Sequence, residues 1–362
     1  MRILLVGFAK VKYMPYVNFY LDNIDRERND VHLIYWNRDL KEEDLSKYEG
    51  ITMHEFRCFQ EDNVAHRSKI GSFIKYRRFV KKVLKKNKID HVILLHSMPA
   101  VLLSNIWTEK FKGRYFFDYR DSTYERYSFY QKIISKLVRR SLATFTSSDG
   151  FRKFFPTDAQ DKVYTTHNIL TDSLSHREYE KTSYDKIRIA FWGFARGEAV
   201  NREIIKKIAA DQRLELHFYG REQQLALRLK AHAAELGAQN VFFHGEYSPE
   251  ERYEFVRNTD IIHNVYNTAN MMLAMGNKYY DGPIFYIPQL CMKDSFMGKC
   301  VSKAGIGAEC DPYAPDFTDK ILEYYTDINI AEFKRNCDAE LERILKQYAD
   351  ASEYVSSTLA EK

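Results

Sequence analysis

The phrase LLVGFAK, residues 4–10, has a similar counterpart in AFWGFAR, residues 190–196, identical at Gly-Phe-Ala. Each copy closes an apolar run with Gly-Phe-Ala and then a cation. Each also opens a series of further apolar runs separated by helical spacing. The first series lies at residues 2–8, 31–36, 53–58, 91–96, 114–119 and 142–148; the second lies at 187–193, 214–220, 241–246, 260–266 and 284–289. Runs that are continuously apolar, rather than alternating, belong to strands covered on both faces, and hence to parallel sheets. Parallel neighbours need long crossovers, which the helical patterns between the runs supply. The expected fold class is therefore α/β, with two Rossmann-like doubly wound domains facing a central cleft. A chain of 362 residues, too long for one ordinary core, agrees. The domains are expected at 1–172 and 187–330, joined by the polar, aperiodic stretch 170–186. From residue 331 onward one long helix carries a partial stripe of Phe333, Cys337, Leu341 and Leu345, suited to crossing back onto the first domain.

Composition excludes several classes. The net charge of +5 is small for a dedicated nucleic-acid binder, so no nucleic-acid partner is expected. Five cysteines without CxxC pairing or metal-ligand spacing read as a reduced, cytoplasmic chain with no metal site. The opening MRILLVGFAKVK has too short an apolar core for a signal peptide, and no run approaches a membrane span.

In open parallel sheets, ligands sit beyond the carboxyl ends of the strands, often on helix N-termini. The loop GFARGEAVNREIIKKI follows the first strand of the second series. Gly193 and Gly197 permit close backbone approach, and Arg196 suits a diphosphate. The alternative is a plain strand–helix turn with a solvated arginine. No GxGxxG fingerprint and no Walker loop is present.

The stretch GNKYYDGPIFYIPQLC, residues 276–291, raises the same question. A helix starting near Asn277 would offer its free N–H groups to an anion. Lys278 would add a full charge, and Asp281, one turn on, would accept from ribose hydroxyls. Gly282-Pro283 is expected to end the helix and begin a strand. A lysine and an acid that merely stabilise an exposed helix are the alternative.

In the first series FFDYRDSTYER follows a strand end. Asp121, two residues past the apolar run, is the leading candidate for a general base toward an acceptor hydroxyl, with Asp118 and the strand-end His96 behind it. A salt-linked loop and a structural histidine are the alternatives. Residues 68–88, SKIGSFIKYRRFVKKVLKKNK, form the most basic segment, with an apolar stripe of Phe73, Tyr76, Val80, Val83 and Leu84. Such a helix suits either an anionic membrane surface or a crossover whose charges are solvated.

Four segments in order, AFWGFARGE, LELHFYGRE, VFFHGEYSPEERYEFVRNTDIIHNVYN, and NKYYDGPIFYIPQL with AGIGAEC, resemble the nucleotide-binding domain of GT-B glycosyltransferases. The likeness is greatest to bacterial family-4 enzymes of capsule and exopolysaccharide synthesis, and extends loosely to FDYRDSTYER and VYTTHNIL. It implies a nucleotide-sugar site including Tyr219 and Gly220. Many retaining relatives carry Glu-x7-Glu. Here Asp281 takes the second position and Leu273 the first, so retaining stereochemistry does not carry over.

The expected activity is transfer of a hexosyl group from a nucleotide diphosphate donor, UDP-linked, to a lipid-linked saccharide or other glycan. No cofactor or metal is expected, because Arg196, Lys278 and helix N-termini would neutralise the leaving diphosphate. The chain would sit peripherally on the inner face of a membrane. A UDP-sugar 2-epimerase, or a non-catalytic transferase-like subunit, are the alternatives.

Overall fold

The computed structural model describes residues 1–61, 69–177 and 185–360. The chain divides into two compact units: Met1–His167 together with Lys346–Lys362, and Asn168–Leu345.

In the first unit the strands are β1 (Arg2–Val6), β2 (Asp30–Asn37), β3 (Thr52–Arg57), β4 (His91–Leu95), β5 (Tyr115–Tyr119), β6 (Ala143–Thr146) and β7 (Val163–Thr165). They form one parallel sheet in the order β3-β2-β1-β4-β5-β6-β7. Between them run α1 (Val17–Asp22), α2 (Ile70–Lys86), α3 (Ser97–Leu102) and α4 (Ser128–Arg140). Every residue of β4, β5 and β6 is buried, as strands covered on both faces require.

The second unit holds β8 (Ile187–Trp192), β9 (Leu214–Tyr219), β10 (Val241–Gly245), β11 (Ile261–Asn264), β12 (Gln289–Met292) and β13 (Gly307–Cys310), in the order β10-β9-β8-β11-β12-β13. All pairings are parallel. The helices are α5 (Glu198–Ala209), α6 (Gln224–Glu235), α7 (Arg252–Arg257), α8 (Lys278–Phe285), α9 (Phe296–Ala304), α10 (Phe317–Thr326) and α11 (Ile330–Ala360). Strand order reverses between β1 and β4 in one sheet and between β8 and β11 in the other. At such switch points the flanking loops diverge and leave a crevice beyond the strand ends.

The long helix α11 changes partners along its length. Phe333, Cys337, Leu341 and Ile344 are buried in its first half. Ala351, Val355 and Leu359, spaced four apart on one face, join the first unit's core beside Ile3, Leu5, Phe116 and Phe145. Of the polar stretch 170–186, Thr171–His176 forms a 3₁₀ turn in the second unit and residues 178–184 lie outside the described residues.

One boundary departs from the expectation. Gly282-Pro283 lies inside α8, and the following strand is β12, not residues 284–289. Proline has no N–H to offer Tyr279, four residues back. The buried Gln289 side chain takes that place, its Nε2 donating to the Tyr279 carbonyl at 3.0 Å while Asn264 Nδ2 donates to its Oε1 at 2.7 Å. A Cβ on residue 282 would stand 2.0 Å from Gln289 Nε2, so only glycine admits this amide. Strand β7, only three residues long, and strand β13, whose GAEC is not an apolar run, fall outside the expected series.

Candidate functional site

At the switch point of the second sheet, three strand ends are tied by backbone bonds. Gly193 N–H donates to the Tyr219 carbonyl (2.8 Å) and Gly220 N–H to that of Gly245 (2.7 Å). Gly220 has φ +154°, and a Cβ there would lie 2.2 Å from the Gly193 oxygen, so the two loops meet backbone to backbone. The Tyr219 ring stacks on His244 at 4.2 Å and on Phe255 at 4.1 Å. A narrow recess opens here among Gly193, Tyr219, Gly220, Arg221 and Gly245.

Two cations stand beside this floor. Arg196 is exposed, its Nη1 resting 3.9 Å from Met271 Sδ. Lys278, the first residue of α8, is partly buried. Its Nζ lies 4.2 Å from the Phe191 ring centroid and 5.5 Å from that of Tyr266, and close under Gly193. Neither makes an ion pair with a described residue. Burial lowers the Lys278 pKa to about 7, with the charge of Arg196 acting in the same direction and Asp281 opposing it. Two like charges held near one another, one of them starved of water, make a site that an anion would relieve. The N-termini of α5, entered through Gly197 in the left-handed region, and of α8 add partial positive charge. Asn277, at the head of α8, is exposed and makes no capping bond through its side chain.

Asp281 is not the open hydroxyl acceptor anticipated. It is buried, takes the indole N–H of Trp192 on one oxygen at 2.8 Å, and is ion-paired with Arg252 through the other. Arg252 Nη1 also reaches Ser173 Oγ at 3.3 Å. Asp281 therefore anchors α8 to β8 and α7. The signal for this was Trp192: a buried indole N–H needs an acceptor. Arg252 lies 29 residues upstream of Asp281 and gave no local hint.

At the switch point of the first sheet, β4 is followed directly by His96, whose φ of +89° is unusual for any residue with a side chain. Its Nδ1 accepts from Met98 N–H at 3.3 Å, which leaves the ring hydrogen on Nε2, 3.8 Å from Asp121 Oδ2. Asp121 is exposed in the loop after β5. Asp118 is a different matter. It sits fully buried within β5, its two oxygens held by Arg120 Nε (2.6 Å) and Nη2 (2.8 Å). It cannot meet a ligand and is removed from the candidate bases. Glu125 of the same loop is also buried, accepting from Tyr119 OH at 2.6 Å. The structure thus brings the His96 ring beside the Asp121 carboxylate, while the Asp118 carboxylate is taken up by Arg120 and its carbonyl accepts from His96 N–H at 2.9 Å. His96 and Asp121 share a recess of about 470 Å³ with Phe8, Tyr16, Arg38 and Phe73.

Helix α2 buries Tyr76, Val80, Val83 and Leu84, while Phe73 is half-buried. Its exposed face carries Lys75, Arg78, Lys81, Lys82, Lys85 and Lys86 with Ile70 and Ile74, and the helix has no acid. Ser68, at the head of the expected segment, lies outside the described residues. Among the described residues no helix is long and apolar enough to cross a membrane, and no group of acids, histidines and cysteines is placed to hold a metal ion.

No family model and no curated protein matches the sequence. Solved structures do resemble the fold. A glycosyltransferase from Rickettsia africae aligns with a TM-score of 0.70 at 12% identity, covering 100% of this chain and 99% of its own. Anabaena HepE, solved with UDP and glucose, aligns at 0.66 and 14%, covering 99% and 100%. A sucrose-phosphate synthase from Thermosynechococcus elongatus aligns at 0.69 and 9%, covering 100% and 98%. Two parallel doubly wound domains, matched over their full length by these structures, give the chain the GT-B fold of glycosyltransferases.

Proposed function

We propose that this chain is a glycosyltransferase that takes a hexosyl group from a UDP-sugar and transfers it to a saccharide acceptor, lipid-linked, in the synthesis of a surface polysaccharide. The observation that carries the reading is the pair Arg196 and Lys278 at the switch point of the second sheet, beside two helix N-termini. That arrangement suits a diphosphate. HepE of the same fold has been solved with UDP-glucose, which supports the choice of nucleotide. Tyr219, Gly220 and Gly193 would floor the nucleotide site.

In the proposed reaction, the Asp121 carboxylate accepts the proton of the acceptor hydroxyl as that oxygen bonds to the anomeric carbon. The bond from that carbon to the diphosphate oxygen breaks, and its electron pair leaves on the diphosphate. Arg196 and Lys278 neutralise the leaving charge, the role a divalent cation plays at other sites. His96 holds Asp121 from the side. The basic face of α2, with Ile70 and Ile74 exposed on it, would rest on an anionic membrane at its cytoplasmic surface.

A panel of nucleotide sugars, scored for slow release of nucleotide diphosphate without an acceptor, tests the reading. UDP release from one UDP-sugar, abolished in Lys278→Met, is expected. Turnover of no donor, with UDP still bound, would favour a transferase-like binding subunit instead.

A further inference from the structure

The loops that close LLVGFAK and AFWGFAR are held in different ways. In the first, the Ala9 carbonyl accepts from the backbone N–H of Trp36 in β2 at 3.1 Å. The cation that follows, Lys10, is buried, paired with Asp39 at 2.5 Å and bonded to the Lys41 carbonyl at 2.8 Å. The sheet itself carries that loop, and its charge is matched. In the second, side chains take over. Gln223 Nε2 donates to the Ala195 carbonyl at 3.0 Å. Asn201 Nδ2 donates to the carbonyls of Arg196 at 2.7 Å and Gly197 at 2.9 Å.

Asn201 lies on the buried face of α5. A side-chain amide can be placed either way round, and His263 of β11 fixes which. His263 is buried too, and burial lowers its pKa far enough to keep the ring neutral. Its Nδ1 accepts from Val265 N–H at 3.1 Å. The one ring hydrogen therefore sits on Nε2 and is donated to Asn201 Oδ1 at 2.9 Å. That leaves the Asn201 nitrogen facing the two loop carbonyls. A trans peptide unit is planar, with its C=O and N–H pointing opposite ways. Two carbonyls turned in toward a buried amide thus turn the N–H groups of Gly197 and Glu198 outward, at the head of α5 beside Arg196. Among the described residues none accepts from these two N–H groups. Successive N–H groups aimed the same way form a concavity that favours an anion.

We infer that Asn201 and His263 are positioning residues for the diphosphate: through the carbonyls of Arg196 and Gly197 they hold the loop with its N–H groups toward the phosphates, and they touch no phosphate themselves. The inference rests on the reading of this switch point as a diphosphate site.

The test is calorimetric titration of the full chain with three probes: pyrophosphate, UDP and uridine. Asn201→Ala should weaken pyrophosphate and UDP about tenfold, as the loss of its carbonyl bonds implies, and leave uridine within about twofold. His263→Leu should weaken pyrophosphate severalfold. His263→Gln, whose side-chain N–H can stand where the Nε2 hydrogen stood, should restore most of that loss. If Asn201→Ala does not fold, the two His263 variants decide alone. Unchanged pyrophosphate affinity in folded Asn201→Ala, an equal loss for uridine, or a His263→Gln that binds no better than His263→Leu overturns the inference. Wild-type protein that binds pyrophosphate but not UDP would overturn the choice of nucleotide, and the variants then decide with pyrophosphate. Binding of neither would overturn the diphosphate site and the inference together.

Discussion

Lys278 should take up a proton when a diphosphate binds. Burial brings its pKa to about 7, from 10.5. That difference opposes charging by roughly 5 kcal/mol. At pH 8 about nine molecules in ten would then hold a neutral Lys278. A diphosphate beside the ammonium reverses the balance, so binding UDP at pH 8 should draw in ~0.9 proton per site. The terminal phosphate of UDP is fully ionised at that pH, its second pKa being about 6, and so contributes none. Titration calorimetry in two buffers of different ionisation enthalpy measures the uptake directly. Lys278→Arg should bind UDP with almost no uptake, because a guanidinium stays charged throughout. Lys278→Met should lose roughly 1.5–3 kcal/mol of affinity, the worth of one charge-assisted bond. The same group sets a stability slope in the ligand-free protein. A lysine with depressed pKa lends stability above its unfolded pKa of 10.5 and loses it as pH falls to about 7. Buffer-independent binding enthalpies for the wild type at pH 8 would show that Lys278 is already charged there, and the desolvation argument would fail.

Asp121→Asn should cut transfer by about 10²–10⁴-fold while leaving UDP affinity unchanged, measured by steady-state rates beside calorimetry; a loss under about threefold would make Asp121 a plain loop residue. Vesicles containing anionic lipid should retain the protein and release it at high salt, each of Lys81, Lys82, Lys85 and Lys86 contributing about 1 kcal/mol; equal retention on neutral vesicles would count against that face. Gln289→Leu strands the Tyr279 carbonyl and the Asn264 amide, both buried, and should cost about 2–5 kcal/mol in denaturant unfolding; a change below about 1 kcal/mol would mean that water or a shifted helix fills in. His263 is buried with its Nδ1 accepting from Val265 N–H, and burial lowers its pKa to about 3. It lends stability above pH 6.5 and loses it as pH falls toward 3, roughly 1.4 kcal/mol per unit. His263→Asn should flatten the fall in melting temperature between pH 6.5 and 4, and an unaltered profile would assign the acid sensitivity elsewhere.

What could be read from the chain alone is what local periodicity encodes. Continuous apolar runs such as HVILL and YFFDY are buried on both faces whatever surrounds them, so the parallel sheets and their restart at AFWGFAR follow from spacing. The rule that ligands gather beyond strand ends then marks Arg196, Lys278, His96 and Asp121 as candidates for test without coordinates. What remained depended on partners remote in sequence. In FFDYRDSTYER the sequence already ranks Asp121 ahead of Asp118, which falls within the apolar run. The sheet buries Asp118 in β5 against Arg120, and only the chain's exit from the sheet leaves Asp121 in the open. Asp281 looked free at a helix head until Trp192 and Arg252, from two other elements, closed on it. Pro283 reads locally as a helix stop. A side-chain amide from residue 289 fills the missing bond, and the helix runs through it. A backbone preference is a property of neighbours in sequence, whereas the cost of a buried polar group is settled by whichever group the fold brings to it.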